Sequence, residues 1–64
     1  MNTKLKRISM GLTQTDLSKK SNVGMNTIVK IEKGDIDSIK VGTLKKIATA
    51  LNANIEELFF SDNN

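Results

Sequence analysis

The sequence predicts an all-α protein, a compact bundle of five short helices forming a single domain over residues 1–64. Three observations carry that expectation. The chain of 64 residues has no Pro and only four Gly, so little interrupts a helix. Thr, Asn and Gly stand where helices begin and end. Between those marks, apolar residues recur at helical spacing.

The elements follow in order. Leu5 and Ile8, with Met10 and Leu12 nearby, indicate a first helix from about Thr3 to Met10, ended by Gly11. Thr13 and Asp16 have the spacing of a capping box, in which the hydroxyl accepts from the third helical amide and the carboxylate reaches back. A second helix then runs from Gln14 to about Lys20, with Leu17 inward and Ser18 as a small residue. It stops at Ser21-Asn22-Val23-Gly24, where Asn22 suits the left-handed region and Gly24 can cap the next helix. That third helix extends from Met25 to about Lys33, buries Ile28 and Ile31, and ends at Gly34. Residues 35–40 read as a loop. Val41, Leu44, Ile47, Ala48 and Leu51 lie on one stripe of a fourth helix, which Asn52 can end. Asn54 to Glu57 resemble a second capping box, opening a last short helix through Leu58 to Phe60. Residues 61–64 form a polar tail expected to fray. The expected core is Leu5, Ile8, Leu12, Leu17, Val23, Ile28, Ile31, Val41, Leu44, Ile47, Ala48, Leu51, Ile55 and Leu58.

Composition narrows the function. There is no Cys and no His, so no disulfide forms, a zinc site is close to excluded, and neither residue can serve as nucleophile or base. No cofactor or metal is expected. The carboxylates show no paired arrangement and no phosphate-binding Gly motif appears, which makes an enzyme the least favoured class. No apolar run approaches the ~18 residues of a membrane span, and the first ten residues are too charged for a signal peptide. A cytoplasmic protein without a membrane partner is expected. Charge is uneven: residues 1–33 carry seven Lys and Arg against two carboxylates, and residues 34–64 carry three against five. A basic half beside an acidic half points to one face that meets a polyanion, although lysines also simply solvate small helical proteins. Trp and Tyr are absent, so an RNA-binding role has only Phe59 and Phe60 for base stacking.

The stretch from Gln14 to Lys33 sets two helices of about two turns around a turn too short for them to lie antiparallel, which is a helix-turn-helix arrangement. Its residues are Gly11-Leu12-Thr13-Gln14, Asp16-Leu17, Ser21-Asn22-Val23, Thr27-Ile28 and Ile31-Glu32-Lys33-Gly34. Thr43-Leu44, Lys46-Ile47-Ala48, Ala50-Leu51-Asn52 and Glu56-Glu57-Leu58-Phe59 follow. Over about residues 3–60 the chain resembles the Cro and lambda-repressor type of helix-turn-helix transcriptional regulators, also described as xenobiotic-response-element-like.

That resemblance implies roles. The start of the third helix, Gly24, Met25, Asn26 and Thr27, with Val29 and Lys30 one turn on, falls where the family meets base edges. Asn26 has the donor–acceptor pair that matches adenine, Lys30 can reach guanine or a phosphate, and Val29 suits a thymine methyl. Met25 and Val29 are an outward apolar pair for which solvent has little use. Thr13, Gln14, Gly24, Lys33 and Lys40 match positions that touch the DNA backbone. Arg7 and Glu32 match a pair that ties the first helix to the third. Thr3 and Lys6 stand where the family has apolar residues in its first helix.

The expected partner is double-stranded DNA, bound by a homodimer at a near-palindromic operator, in a regulator more often a repressor than an activator. Small bacterial or phage regulators of this kind are the model. Leu58, Phe59 and Phe60 are consecutive and cannot all face inward, so at least one Phe is expected to be exposed and to join two copies through the last helix. The alternative is an antitoxin-like interaction module that presents Phe59, Phe60 and the acidic half to a partner protein.

Overall fold

The computed structural model describes residues 2–60, and the expected frayed tail lies outside the described residues. Five helices follow one another: α1 (Thr3–Ser9), α2 (Gln14–Ser21), α3 (Met25–Glu32), α4 (Val41–Ala50) and α5 (Glu56–Phe60), with no strand among the described residues. The fold is the all-α bundle read from the sequence.

Local chemistry sets the boundaries. At α1 the Leu5 amide donates to Asn2 Oδ1 at 2.8 Å. At α2 the capping box is complete: the Asp16 amide donates to Thr13 Oγ1, and the Thr13 amide donates to Asp16 Oδ2, each at 2.9 Å. Four residues take positive φ where the chain must reverse: Gly11 at 72°, Asn22 at 59°, Gly34 at 87° and Asn52 at 53°. Glycine enters this region without a Cβ penalty, and asparagine tolerates it better than most residues. Before α5 the Asn54 amide donates to the Glu57 carboxylate at 3.0 Å, which is the returning half of a capping box. The wider, π-type winding of α5 places Leu58 inward.

α2 is the centre of the packing: it touches both α3 and α4, while α1 rests on α3. Leu17, Ile28, Ile47 and Leu51 are completely enclosed, and Val23, Ile31, Leu44, Ala48, Ala50 and Leu58 complete the core. Leu12 and Ile55 are only partly buried, as are Ile36 and Ile39 of the 35–40 loop, which pack against the core's edge.

Three expected core residues are instead exposed: Leu5 at 56%, Ile8 at 53% and Val41 at 55%. On α1 the inward stripe is Thr3 and Arg7, four residues apart and both buried, which turns Leu5 and Ile8 to the opposite side. Arg7 takes the inward place because its charge is matched there by a carboxylate. Val41 shares the angle of its stripe but occupies the first position of α4, a turn outside the buried layer that begins at Leu44. Ala50, which the periodicity passes over, is buried.

Candidate nucleic-acid interface

The candidate interface is built on α3. Ile28 and Ile31 anchor its inner side in the core, while Asn26, Lys30 and Lys33 are exposed, Met25 is 39% exposed, and Thr27 and Val29 are half-buried. With 3.6 residues per turn, burying Ile28 and Ile31 turns Asn26, Lys30 and Lys33 outward. Met25 and Val29 form one flank of that face, four residues apart.

What holds α3 at its angle is a small polar network. Arg7 Nε donates to Glu32 Oε2 at 2.6 Å, and Arg7 Nη2 donates to Glu32 Oε1 at 3.1 Å. The third guanidinium nitrogen, Nη1, donates to the Leu12 carbonyl at 2.8 Å. Gln14 Nε2 donates to Glu32 Oε1 at 3.1 Å. One carboxylate at the end of α3 therefore receives α1 through Arg7 and the first residue of α2 through Gln14. Burial by itself raises the Glu32 pKa; the hydrogen bonds from Arg7 and Gln14 and the positive charge of Arg7, then of Lys4, outweigh it and hold the carboxyl below its ordinary value. The Glu32 hydrogen bond in turn raises the Arg7 guanidinium further, against desolvation. No buried side-chain nitrogen or oxygen among the described residues lacks a partner, so the network is closed.

The turn between α2 and α3 is clasped on both strands of the reversal. The Val23 amide donates to the Ser18 carbonyl at 3.2 Å, and Ser18 Oγ donates to the Val23 carbonyl at 2.6 Å. Sequence reasoning treats Ser18 as merely small; its hydroxyl is a turn fastener. Ser21 is similarly used, donating to the Leu17 carbonyl at 2.6 Å within α2.

Between α1, the start of α2 and the flank of α3 lies an open cleft of about 690 Å³, lined by Lys4, Arg7, Thr13, Gln14, Met25, Val29 and Lys33 among others. Thr13, Gln14, Met25, Val29 and Lys33 are thus brought to one concavity. Lys30 leans the other way, its Nζ 3.4 Å from Ser38 Oγ on the 35–40 loop. Gly24 caps α3 and Lys40 caps α4 with no side-chain hydrogen bond to the opening amides of either helix. Among the described residues the only ion pair is Arg7–Glu32, which leaves Lys30, Lys33 and Lys40 without a carboxylate partner. On α5, near the end of α3, Phe59 packs against the core, while Phe60 is 57% exposed and meets the Phe59 ring edge-to-face at 6.5 Å. No helix among the described residues is long and apolar enough to cross a membrane.

The helix-turn-helix family model matches residues 4–58. An HTH-type transcriptional regulator of Archaeoglobus fulgidus is 44% identical over 57 residues, covering 88% of this chain and 79% of its own length. One from Methanocaldococcus jannaschii is 45% identical over 62 residues, covering 92% of this chain and 91% of its own. A glutamine–fructose-6-phosphate aminotransferase of the same organism is 40% identical over 57 residues; this chain spans only 5% of that protein. These relatives are archaeal, so bacterial or phage origin draws no support from them. No solved structure matches the chain significantly. Fold and likeness agree: the chain belongs to the Cro and lambda-repressor type of helix-turn-helix family, whose members are DNA-binding transcriptional regulators.

Proposed function

We propose that this chain binds duplex DNA sequence-specifically as a homodimer in the cytoplasm, at the nucleoid, and represses transcription from a near-palindromic operator. The observation that carries the reading is the division of α3. Its inner side is spent on the core through Ile28 and Ile31, and its outer side carries Asn26, Lys30 and Lys33 exposed. In this reading Met25, Asn26, Thr27, Val29 and Lys30 meet base edges in the major groove. Thr13, Gln14, Gly24, Lys33 and Lys40 meet phosphates, with the open amides at the starts of α3 and α4 adding donors. Gln14 has one amide proton engaged by Glu32 and a second left for an oxygen of the backbone. The Arg7–Glu32 pair keeps the geometry without reading sequence.

Size supports two copies. The described body measures 28 × 25 × 18 Å. Successive major grooves on one side of DNA lie about 34 Å apart. One copy presents one recognition helix to one groove, and a single helix reads too few base pairs to select a site from a genome. Phe60 is the aromatic available to join copies through α5. The same exposed ring would serve an antitoxin-like module, whose signature is a copurifying protein partner rather than selected DNA.

Selection of bound sequences from a random duplex pool tests the reading. A symmetric site with half-sites about one helical turn apart is expected. Recovery of no preferred sequence overturns it.

A further inference from the structure

The recognition face carries two apolar side chains that neither the core nor solvent accounts for. Met25 is 39% exposed and Val29 half-buried, although Ile28 and Ile31 already fill the inner side of α3. The two are four residues apart, so they form one strip, and both line the same open cleft. Polar groups border the strip on both sides: Gln14 across the cleft, Asn26 and Lys33 on the outward face.

Base-pair edges in the major groove offer such a strip one apolar target, the C5-methyl group of a pyrimidine. The neighbours favour the same base pair. The outer face holds no Arg, the usual bidentate reader of guanine; Lys30 alone can take that role, and without DNA its ammonium rests 3.4 Å from Ser38 Oγ. Asn26 carries the amide that matches adenine N6 and N7. An adenine reader beside an apolar strip fits A·T pairs, in which the thymine brings the methyl.

We propose that Met25 and Val29 form a methyl-reading strip that selects the C5-methyl group of pyrimidines in the half-site, with thymine as its source. The inference rests on the DNA-binding reading above and names what that site reads.

The test alters the DNA, so folding is not at stake. Each thymine of the selected site is replaced in turn by deoxyuridine, which removes the methyl and keeps every hydrogen-bonding group. Affinity should fall about fourfold at one or two positions per half-site, the worth of one buried methyl group. At those positions 5-methylcytosine should bind about fourfold better than cytosine, which separates the methyl from the rest of thymine. The double variant Met25→Ala, Val29→Ala should bind thymine and deoxyuridine sites alike. Equal affinity of the unaltered protein for both, on a site it still selects, overturns the strip and leaves DNA reading intact. Discrimination that survives in the double variant also overturns it. Failure to select any sequence overturns the DNA reading and the strip with it.

Discussion

Ser18 and Val23 are bonded twice, amide to carbonyl at 3.2 Å and hydroxyl to carbonyl at 2.6 Å, so the turn that sets the angle between α2 and α3 is closed by main chain and side chain together. Ser18→Ala removes the hydroxyl and leaves the main-chain bond. It should cost about 1 kcal/mol, the usual net worth of one hydrogen bond. Thermal melting measures this; an unchanged midpoint would show that water replaces the hydroxyl at no cost.

Acid should weaken the fold through Glu32. Its folded pKa lies below the ordinary carboxylate value, so it stabilises the folded state fully above the unfolded pKa of about 4.3. That contribution is lost as pH falls through the folded value, because protonation then accompanies native structure too. Asp16, held low by its bonds with Thr13, acts in the same direction, so the two must be separated by substitution. Glu32→Gln should cost roughly 1.5–3 kcal/mol at pH 7, the range for hydrogen bonds to charged groups, because Arg7 is left buried without its counter-charge. The gap between variant and parent should shrink steadily below pH 4. Denaturation curves across pH 2–7 follow it, and a gap that stays constant would assign the acid sensitivity elsewhere.

Positioning and reading should separate in binding assays. Lys33→Ala should weaken selected and random DNA alike and flatten the salt dependence by about one unit of log–log slope per copy. Asn26→Ala should cost roughly 1–3 kcal/mol on the selected site and little on random DNA. Titrations at several salt concentrations distinguish them. Equal losses from Asn26→Ala on every sequence would remove base reading from that residue.

The two phenylalanines make a matched pair of variants. Phe59→Ala should lower the melting temperature, since its ring packs on the core. Phe60→Ala should leave the monomer's stability nearly unchanged, because its ring is 57% exposed, but should convert dimer to monomer. Sedimentation at micromolar concentration, with melting at two protein concentrations, reads both effects. If both variants are still dimeric at that concentration, the interface lies off α5.

How much could be read in advance follows from the range of each interaction. Gly11, Asn22, Gly34 and Asn52 were legible as reversals, since a left-handed residue is a local requirement with few candidates. The Thr13–Asp16 box was legible for the same reason. The side of α1 that faces the core was not. Leu5 and Ile8 look like a buried stripe until Glu32, 25 residues from Arg7, supplies the counter-charge that draws the guanidinium inward. The Arg7–Glu32 pair itself came from family likeness, and no periodicity reveals it. Gln14 could be placed at a helix start, but its bond to a carboxylate 18 residues away depends on how α2 crosses α3.

The division of α3 has a consequence for how such a protein acquires a new target. Ile28 and Ile31 hold the helix, and Asn26, Lys30 and Lys33 share none of that burden. On the proposed reading, changes at Asn26 and Lys30 alter the address the protein seeks while leaving its melting behaviour almost untouched, and changes at Lys33 alter only how tightly it holds any DNA. Glu32 is the opposite case: it reads no base, yet the seat of α3 and the stability of the fold both pass through its carboxylate.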